Sequence, residues 1–141
     1  MSKATGTCHC GNLSFSLGWP DGEELRLTRC GCSFCTKHGS LYATHPRAAL
    51  AATVADRAQL GRYTFGTGTA EVFLCSRCGV PGWVASVIDG RTYAVVNANT
   101  FEVPPRGEGV LPSTHDAETV EARLARRRRW WIPSVELTLR G

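Results

Sequence analysis

The amino-acid sequence predicts a mainly β protein with one C-terminal helix. Most apolar residues occur in short segments where they alternate with polar ones, which is typical of strands with one buried face. Turn-forming residues separate these segments, and the pair Asp89-Gly90 is a good hairpin signal. Only the segment from about 116 to 131 has convincing helical spacing. With 141 residues in all, we expect 1–141 to form a single domain with its core at about 5–100.

The N-terminal half contains short alternating segments that end at turn signals. Residues 47–58 are ambiguous, because they are rich enough in alanine for a helix but carry Thr53 and Val54 in the middle. The predicted strands of this half are 13–17, 25–28 and 41–44.

The next segments continue the strand pattern. Glycines at 66 and 68 and the pair Asp89-Gly90 divide them. The predicted strands here are 62–65, 70–74, 83–88 and 93–96. The proline-rich residues 103–107 that follow resemble an exposed connector.

The predicted C-terminal helix, about 116–131, has signals at both ends. Ser113 and Thr114 offer N-cap oxygens, and Pro133 prevents continuation. An apolar stripe can lie on a sheet, and it comprises Ala117, Val120, Leu124 and Trp131.

Charged residues are unevenly distributed along this helix. The acids Asp116, Glu118 and Glu121 occupy its first half, and none has an arginine three or four residues later, so we expect no ion pairs along the helix. Because Arg126 to Arg129 are consecutive, they point around most of the helix, and at least one must lay its stem along the protein body.

All seven cysteines fall into three tight clusters, at positions 8–10, 30–35 and 75–78. Thiols one or two residues apart are poorly placed for mutual disulfides but suit a tetrahedral metal. On a strand, Cys8 and Cys10 would share a face and so could share a metal. We prefer a closed set of four and an open set of three, although swapped pairings remain open. The sets are Cys8, Cys10, Cys75 and Cys78, and Cys30, Cys32 and Cys35 in one loop.

The compartment also favours metal over disulfides. The N-terminus carries no apolar run, so we expect no signal peptide, no membrane span and a cytoplasmic location, where thiols stay reduced. The formal net charge of +4 is mild and does not call for a nucleic-acid partner.

The cluster order resembles one family. CxCG, then CxCxxC followed by Gly39, then CxxCG, with Gly6-Thr7 before the first motif and Tyr63 to Gly66 before the third, is similar to the glutathione-dependent formaldehyde-activating enzymes and centromere protein V. The resemblance implies an Mss4-like β-tent of stacked antiparallel sheets and two zinc ions per chain. It assigns a structural zinc to Cys8, Cys10, Cys75 and Cys78, and a catalytic zinc to Cys30, Cys32 and Cys35.

The resemblance also implies an activity. In the reaction for which the family is named, glutathione adds to formaldehyde to give S-hydroxymethylglutathione, the reverse of a carbon–sulfur lyase reaction. The implied partners are therefore a small-molecule thiol such as glutathione and an aldehyde.

Two alternatives remain at this stage. The second zinc would be structural if a histidine completed it, with His38 the obvious candidate and His9 and His45 poorer ones. The protein would be a non-catalytic binding module if Arg126 to Arg129, with the following tryptophans, held nucleic acid, although a solvated surface is the simpler interpretation. These arginines could also hold a carboxylate of an anionic small molecule such as glutathione.

Overall fold

The computed structural model describes residues 1–103, 111–113, 115 and 117–141. Within these residues the protein is mainly β, as predicted, with two short α-helices. The strands are β1 (Ser2–Thr7), β2 (Leu13–Trp19), β3 (Arg26–Cys30), β4 (Tyr42–Thr44), β5 (Ala49–Val54), β6 (Leu60–Tyr63), β7 (Glu71–Cys75), β8 (Pro81–Ile88), β9 (Arg91–Asn97), β10 (Leu111–Ser113) and β11 (Ser134–Leu139), and the helices are α1 (Ser33–His38) and α2 (Val120–Trp130).

The strands form two sheets. One has the order β1-β2-β5-β11 and the other has the order β10-β3-β4-β9-β8-β7-β6. Most neighbours are antiparallel, but β11 pairs parallel with β5 and β10 pairs parallel with β3. The predicted pair of sheets is confirmed, and these two strands make the sheets mixed.

The main core lies between the two sheets. Alternate residues of β2 face inward, and Leu13 and Leu17 are almost completely buried. They belong to the same apolar cluster as Trp83 and Val96 of the large sheet. Burial of such side chains supplies the main driving force for folding.

The large sheet is covered on both faces, which is why residues 81–86 of β8 are buried without the alternation of a half-exposed strand. Trp83 belongs to the main core. Its neighbour Val84, pointing to the opposite face, belongs to a second cluster with Tyr42, Val72 and Val95. This second face carries the candidate site.

The predicted strands are found with both ends within two residues of their expected positions. Asp89 and Gly90 form the predicted hairpin turn with positive φ angles of 51° and 78°. The ambiguous segment 47–58 contains β5, because alternate residues there, such as Ala52 and Val54, are buried in the main core. The sequence reading missed β1, β10, β11 and α1.

The predicted bounds of the C-terminal helix were wrong at the N-terminal end. Helix α2 begins at Val120, and its N-cap is Thr119, whose hydroxyl oxygen accepts from the Ala122 amide at 3.1 Å. Ser113 lies in β10 instead. Thr114, Asp116 and residues 104–107 of the predicted connector lie outside the described residues. No helix in the described part of the chain combines the length and apolar character needed to cross a membrane.

The core prediction can be tested with one substitution at two positions. Val54→Ala should lower the free energy of unfolding by about 2–3 kcal/mol, because Val54 is 0 % exposed and its loss leaves a cavity. Val87→Ala, at a strand position 68 % exposed, should change it by less than about 0.5 kcal/mol. Urea denaturation measures both, and equal effects would contradict the described core.

Candidate metal centres and an adjoining cavity

Four cysteines from distant parts of the chain meet at one end of the two sheets. The Sγ atoms of Cys8, Cys10, Cys75 and Cys78 all lie within 4.8 Å of one another. Cys8 and Cys10 lie in the turn between β1 and β2, not on a strand as expected. Cys75 ends β7, and Cys78 lies in the turn before β8. This cluster therefore joins the two sheets.

The geometry of this cluster fits a tetrahedral metal with sulfur ligands. The Cys10 Sγ lies 3.8 Å from that of Cys8 and 3.5 Å from that of Cys75. A zinc–sulfur bond of about 2.3 Å implies a sulfur–sulfur edge of about 3.8 Å. The turns are tight, because Gly11 and Gly79 have φ angles of 88° and 81°, which L side chains rarely adopt. The all-thiol set is the one that zinc favours in closed sites.

The second cluster has three members. The Sγ atoms of Cys30, Cys32 and Cys35 also lie within 4.8 Å of one another. Cys30 ends β3, Cys32 is the N-cap of α1, and Cys35 lies in the first turn of that helix. The predicted single loop is therefore a strand end followed by a short helix, in which the Cys35 amide donates to the Cys32 sulfur at 3.4 Å.

The three thiols of the second cluster influence one another strongly. The hydrogen bond with Cys35 lowers the pKa of the Cys30 thiol to about 5, and the same interaction raises the pKa of Cys35. The Tyr42 hydroxyl lies 3.2 Å from the Cys35 sulfur. Burial raises the pKa of Tyr42, so this hydroxyl keeps its proton and can donate it in a hydrogen bond to the sulfur. Three thiolates at this distance need a cation to coexist, and the soft sulfur set again fits zinc.

The described histidines do not join either cluster of sulfurs. His38 is exposed, its Nδ1 lies 2.9 Å from the Phe34 carbonyl oxygen, and its ring stacks on that of Phe34 at 4.1 Å. His45 is buried, with its Nε2 3.0 Å from a carboxylate oxygen of Glu23. The structure therefore brings neither His38 nor His45 to the three thiols.

A cavity of about 200 Å³ adjoins the three-cysteine cluster. The second apolar cluster forms one wall, with Tyr42, Val72, Val84 and Val95. Strand β3 and helix α2 contribute to the rest, together with the loop before β7. The sequence alone did not predict this cavity, because alternation along a strand does not show whether another part of the chain covers the second face of the sheet.

Four arginines and one histidine also line the cavity: Arg26, Arg123, Arg126, Arg127 and His115. Arg127 is buried, which confirms that one arginine of the run lies along the protein body. The expectation of no ion pairs along the predicted helix was wrong, because Glu118, which lies within the predicted range but precedes α2, binds Arg126 through contacts of 3.0 and 3.2 Å. The sequence reading missed His115 and Arg26, which carry no local motif.

Two comparisons place the chain among known proteins. A family model described as glutathione-dependent formaldehyde-activating enzyme matches residues 3–116, a range that stops before α2 and β11. The chain is also similar to a crystal structure of a Rhodobacter sphaeroides protein, a structural genomics target, with 31 % sequence identity and a TM-score of 0.55. That similarity covers 77 % of this chain and 97 % of the other.

The Glu118 contacts generate a prediction about pH. The hydrogen bond from Arg126 lowers the pKa of Glu118 below its ordinary value of 4.5. The contribution of the Glu118 carboxylate to the free energy of unfolding is therefore complete well above pH 4.5 and is lost as the pH falls through the lowered pKa. Glu118→Gln should be less stable than the natural protein at neutral pH, and the difference should shrink as the medium becomes more acidic.

The exposed Glu121 supplies the control for this prediction. Glu121→Gln should keep nearly the same stability difference from the natural protein at every pH. Urea denaturation followed by tryptophan fluorescence measures all three proteins. A stability difference for Glu118→Gln that does not vary with pH would contradict the assignment.

Proposed function

The chain belongs to the family of glutathione-dependent formaldehyde-activating enzymes, and we propose that it catalyses the reversible addition of a small-molecule thiol, such as glutathione, to formaldehyde or a related aldehyde. One observation carries the proposal: the three-cysteine cluster lines a cavity, and no described histidine or carboxylate supplies a fourth ligand. Catalytic zinc sites differ from structural ones in this respect, because they leave one position for a substrate or water.

The proposed reaction forms one carbon–sulfur bond. The thiolate sulfur attacks the carbonyl carbon, the π electrons of the C=O bond move to oxygen, and that oxygen takes up the proton that the thiol gave up. The product is a hemithioacetal, which carries an S-hydroxymethyl group when the aldehyde is formaldehyde, and the reverse direction is a carbon–sulfur lyase reaction. No oxidant or reductant is needed.

Two zinc ions per chain are part of the proposal. Cys8, Cys10, Cys75 and Cys78 would hold a structural zinc, because the set is closed and joins the two sheets. Cys30, Cys32 and Cys35 would hold the catalytic one. When bound there, zinc would supply a positively charged, soft acceptor for the substrate sulfur.

Residues of the chain prepare this site. Tyr42 fixes the Cys35 sulfur through its hydroxyl, and the α1 backbone fixes the Cys32 sulfur. Val72, Val84 and Val95 keep one wall of the cavity apolar, which excludes water from part of the reacting centre. These groups position and shield the site without taking part in bond formation.

The alternative of a nucleic-acid-binding module has little support in the arginine run. Arg127 is buried, and Arg128 contacts Asp89 at 3.1 Å on the surface. Arg126 is engaged with Glu118. The run is thus divided among different environments and does not form one continuous phosphate-binding surface.

Metal content tests the two zinc assignments. The natural protein should contain two zinc ions per chain by atomic emission analysis. Cys75→Ser should lose the structural ion and most of the folded protein, because such a site supplies folding free energy on the order of 10 kcal/mol. Cys32→Ser is the matched substitution, and it should retain one zinc and a folded chain. A single tightly held zinc in the natural protein would contradict the open site.

Activity is tested by exchange measurements. NMR exchange between free and thiol-bound formaldehyde should be faster with the natural protein than with buffer, where the uncatalysed addition also occurs. Folded Cys32→Ser should give only the uncatalysed rate, since it lacks one ligand of the open site. Rates at the uncatalysed level for several thiols, with both zinc ions present, would refute the enzymatic proposal.

A further inference from the structure

Helix α2, in the C-terminal part of the chain, contributes arginine side chains to the cavity lining. Helix α2 lies outside the residues that the family model matches. Arg127 lies on this helix, lines the cavity and is only 6 % exposed. A buried guanidinium therefore lines the same cavity as the three thiols.

Arg127 is a buried charge with neutral partners. Its hydrogen bonds to described residues all come from Nη1, which donates to the Thr69 carbonyl and hydroxyl oxygens at 3.2 and 2.8 Å and to the Ser86 hydroxyl at 3.1 Å. Its Nε is buried and has no acceptor among the described residues. Burial lowers the pKa of Arg127 to about 10, so the group remains charged at neutral pH. A buried charge without a counter-charge is costly.

Arg123, which also lines the cavity, likewise has a buried Nε without a hydrogen-bond acceptor among the described residues. Its Nη2 donates to the His115 carbonyl oxygen at 2.7 Å. The Glu118 carboxylate, 3.9 Å from that Nε, makes its hydrogen bonds with Arg126 instead. None of the described residues that line the cavity is an aspartate or a glutamate. Arg123 and Arg127 therefore bring positive charge to the cavity wall, and each keeps one buried N–H without an acceptor among the described residues.

The remaining wall restricts the rest of the ligand. The valines at 72, 84 and 95, together with Trp130 and Trp131, make much of it apolar. A peptide-like thiol would bring amide groups against these side chains, and an ammonium group would meet several arginines. Both would lose solvation without a matching partner.

We infer that this site takes a thiol with an apolar body and one carboxylate, and no ammonium group, with the carboxylate received by Arg127 and Arg123. The inference rests on the proposed function for the sulfur end and on the buried arginines for the anionic end. A carboxylate there would supply the missing counter-charge and accept charge-assisted hydrogen bonds from the guanidinium groups.

Calorimetric binding to the zinc-loaded protein tests the inference with matched probes. Mercaptohexanoate and mercaptohexanol have the same length and differ in the carboxylate. The carboxylate should bind about 10- to 100-fold more tightly, as expected for hydrogen bonds to a charged group. Mercaptohexanoate should also bind more tightly than glutathione. Hexanoate, which lacks sulfur, tests the anionic end alone.

Substitutions on α2 connect this preference to named residues. Arg123→Gln and Arg127→Gln should reduce the preference for carboxylate over alcohol to about one- to threefold, since each removes a charge that lines the cavity. Arg128→Gln is the matched control, because Arg128 contacts Asp89 at the surface, and it should leave the preference unchanged. If Arg127→Gln does not fold, the partly exposed Arg123 still provides the test.

The outcomes separate the inference from the proposed function. Equal binding of the carboxylate and the alcohol would overturn the inference while thiol binding stands. Hexanoate that binds as well as mercaptohexanoate, and depends on Arg123, would support the anion site and contradict thiol binding. Loss of zinc in the arginine variants, with an unchanged preference, would show that the arginines balance the metal centre and would overturn the inference. Tighter binding of glutathione than of mercaptohexanoate would overturn the inference that the ligand has an apolar body.

Discussion

The convergence of four cysteine sulfurs between the two sheets is the constraint on which the rest of the structure depends. Cys8 and Cys10 lie in the turn between two strands of the four-stranded sheet. In the seven-stranded sheet, Cys75 ends β7 and Cys78 lies in the turn before β8. Close approach at this end is also built into the core, since a Cβ on Gly82 would lie 3.0 Å from the Leu13 side chain. The two sheets thus approach each other closely at the end where the four sulfurs meet.

The large sheet is buried on both faces, and the two faces serve different purposes. One face of β8 contributes Trp83 to the main core, and the other contributes Val84 to the cavity wall. The face that stabilises the fold is therefore separate from the face that carries the three-cysteine cluster. Side chains on the cavity face can change with limited effect on the inter-sheet core, because successive residues of a strand point in opposite directions.

Helix α2 forms part of the wall of the cavity beside the three-cysteine cluster. Its position depends on Arg127, whose guanidinium is fixed by Thr69 and Ser86. The aromatic rings at its C-terminal end support the arginines, because the Arg127 guanidinium lies 5.0 Å from the Trp131 ring and that of Arg26 lies 4.4 Å from the Trp130 ring. The same contacts that anchor the helix bring positive charge to the cavity. Under the proposed carboxylate binding, this one element would combine structural anchoring with ligand recognition.

The sequence by itself determined the strand content, the hairpin at Asp89-Gly90 and the grouping of the cysteines, because alternation, turn residues and thiol spacing are local properties. It also predicted the sets of four and three, which the sulfur positions match. Only the tertiary structure decided that α2 begins at Val120, that Arg127 is buried, and that His38 stays apart from the thiols. These outcomes depend on contacts between residues far apart in the chain, such as Arg127 with Thr69, and no local pattern encodes them.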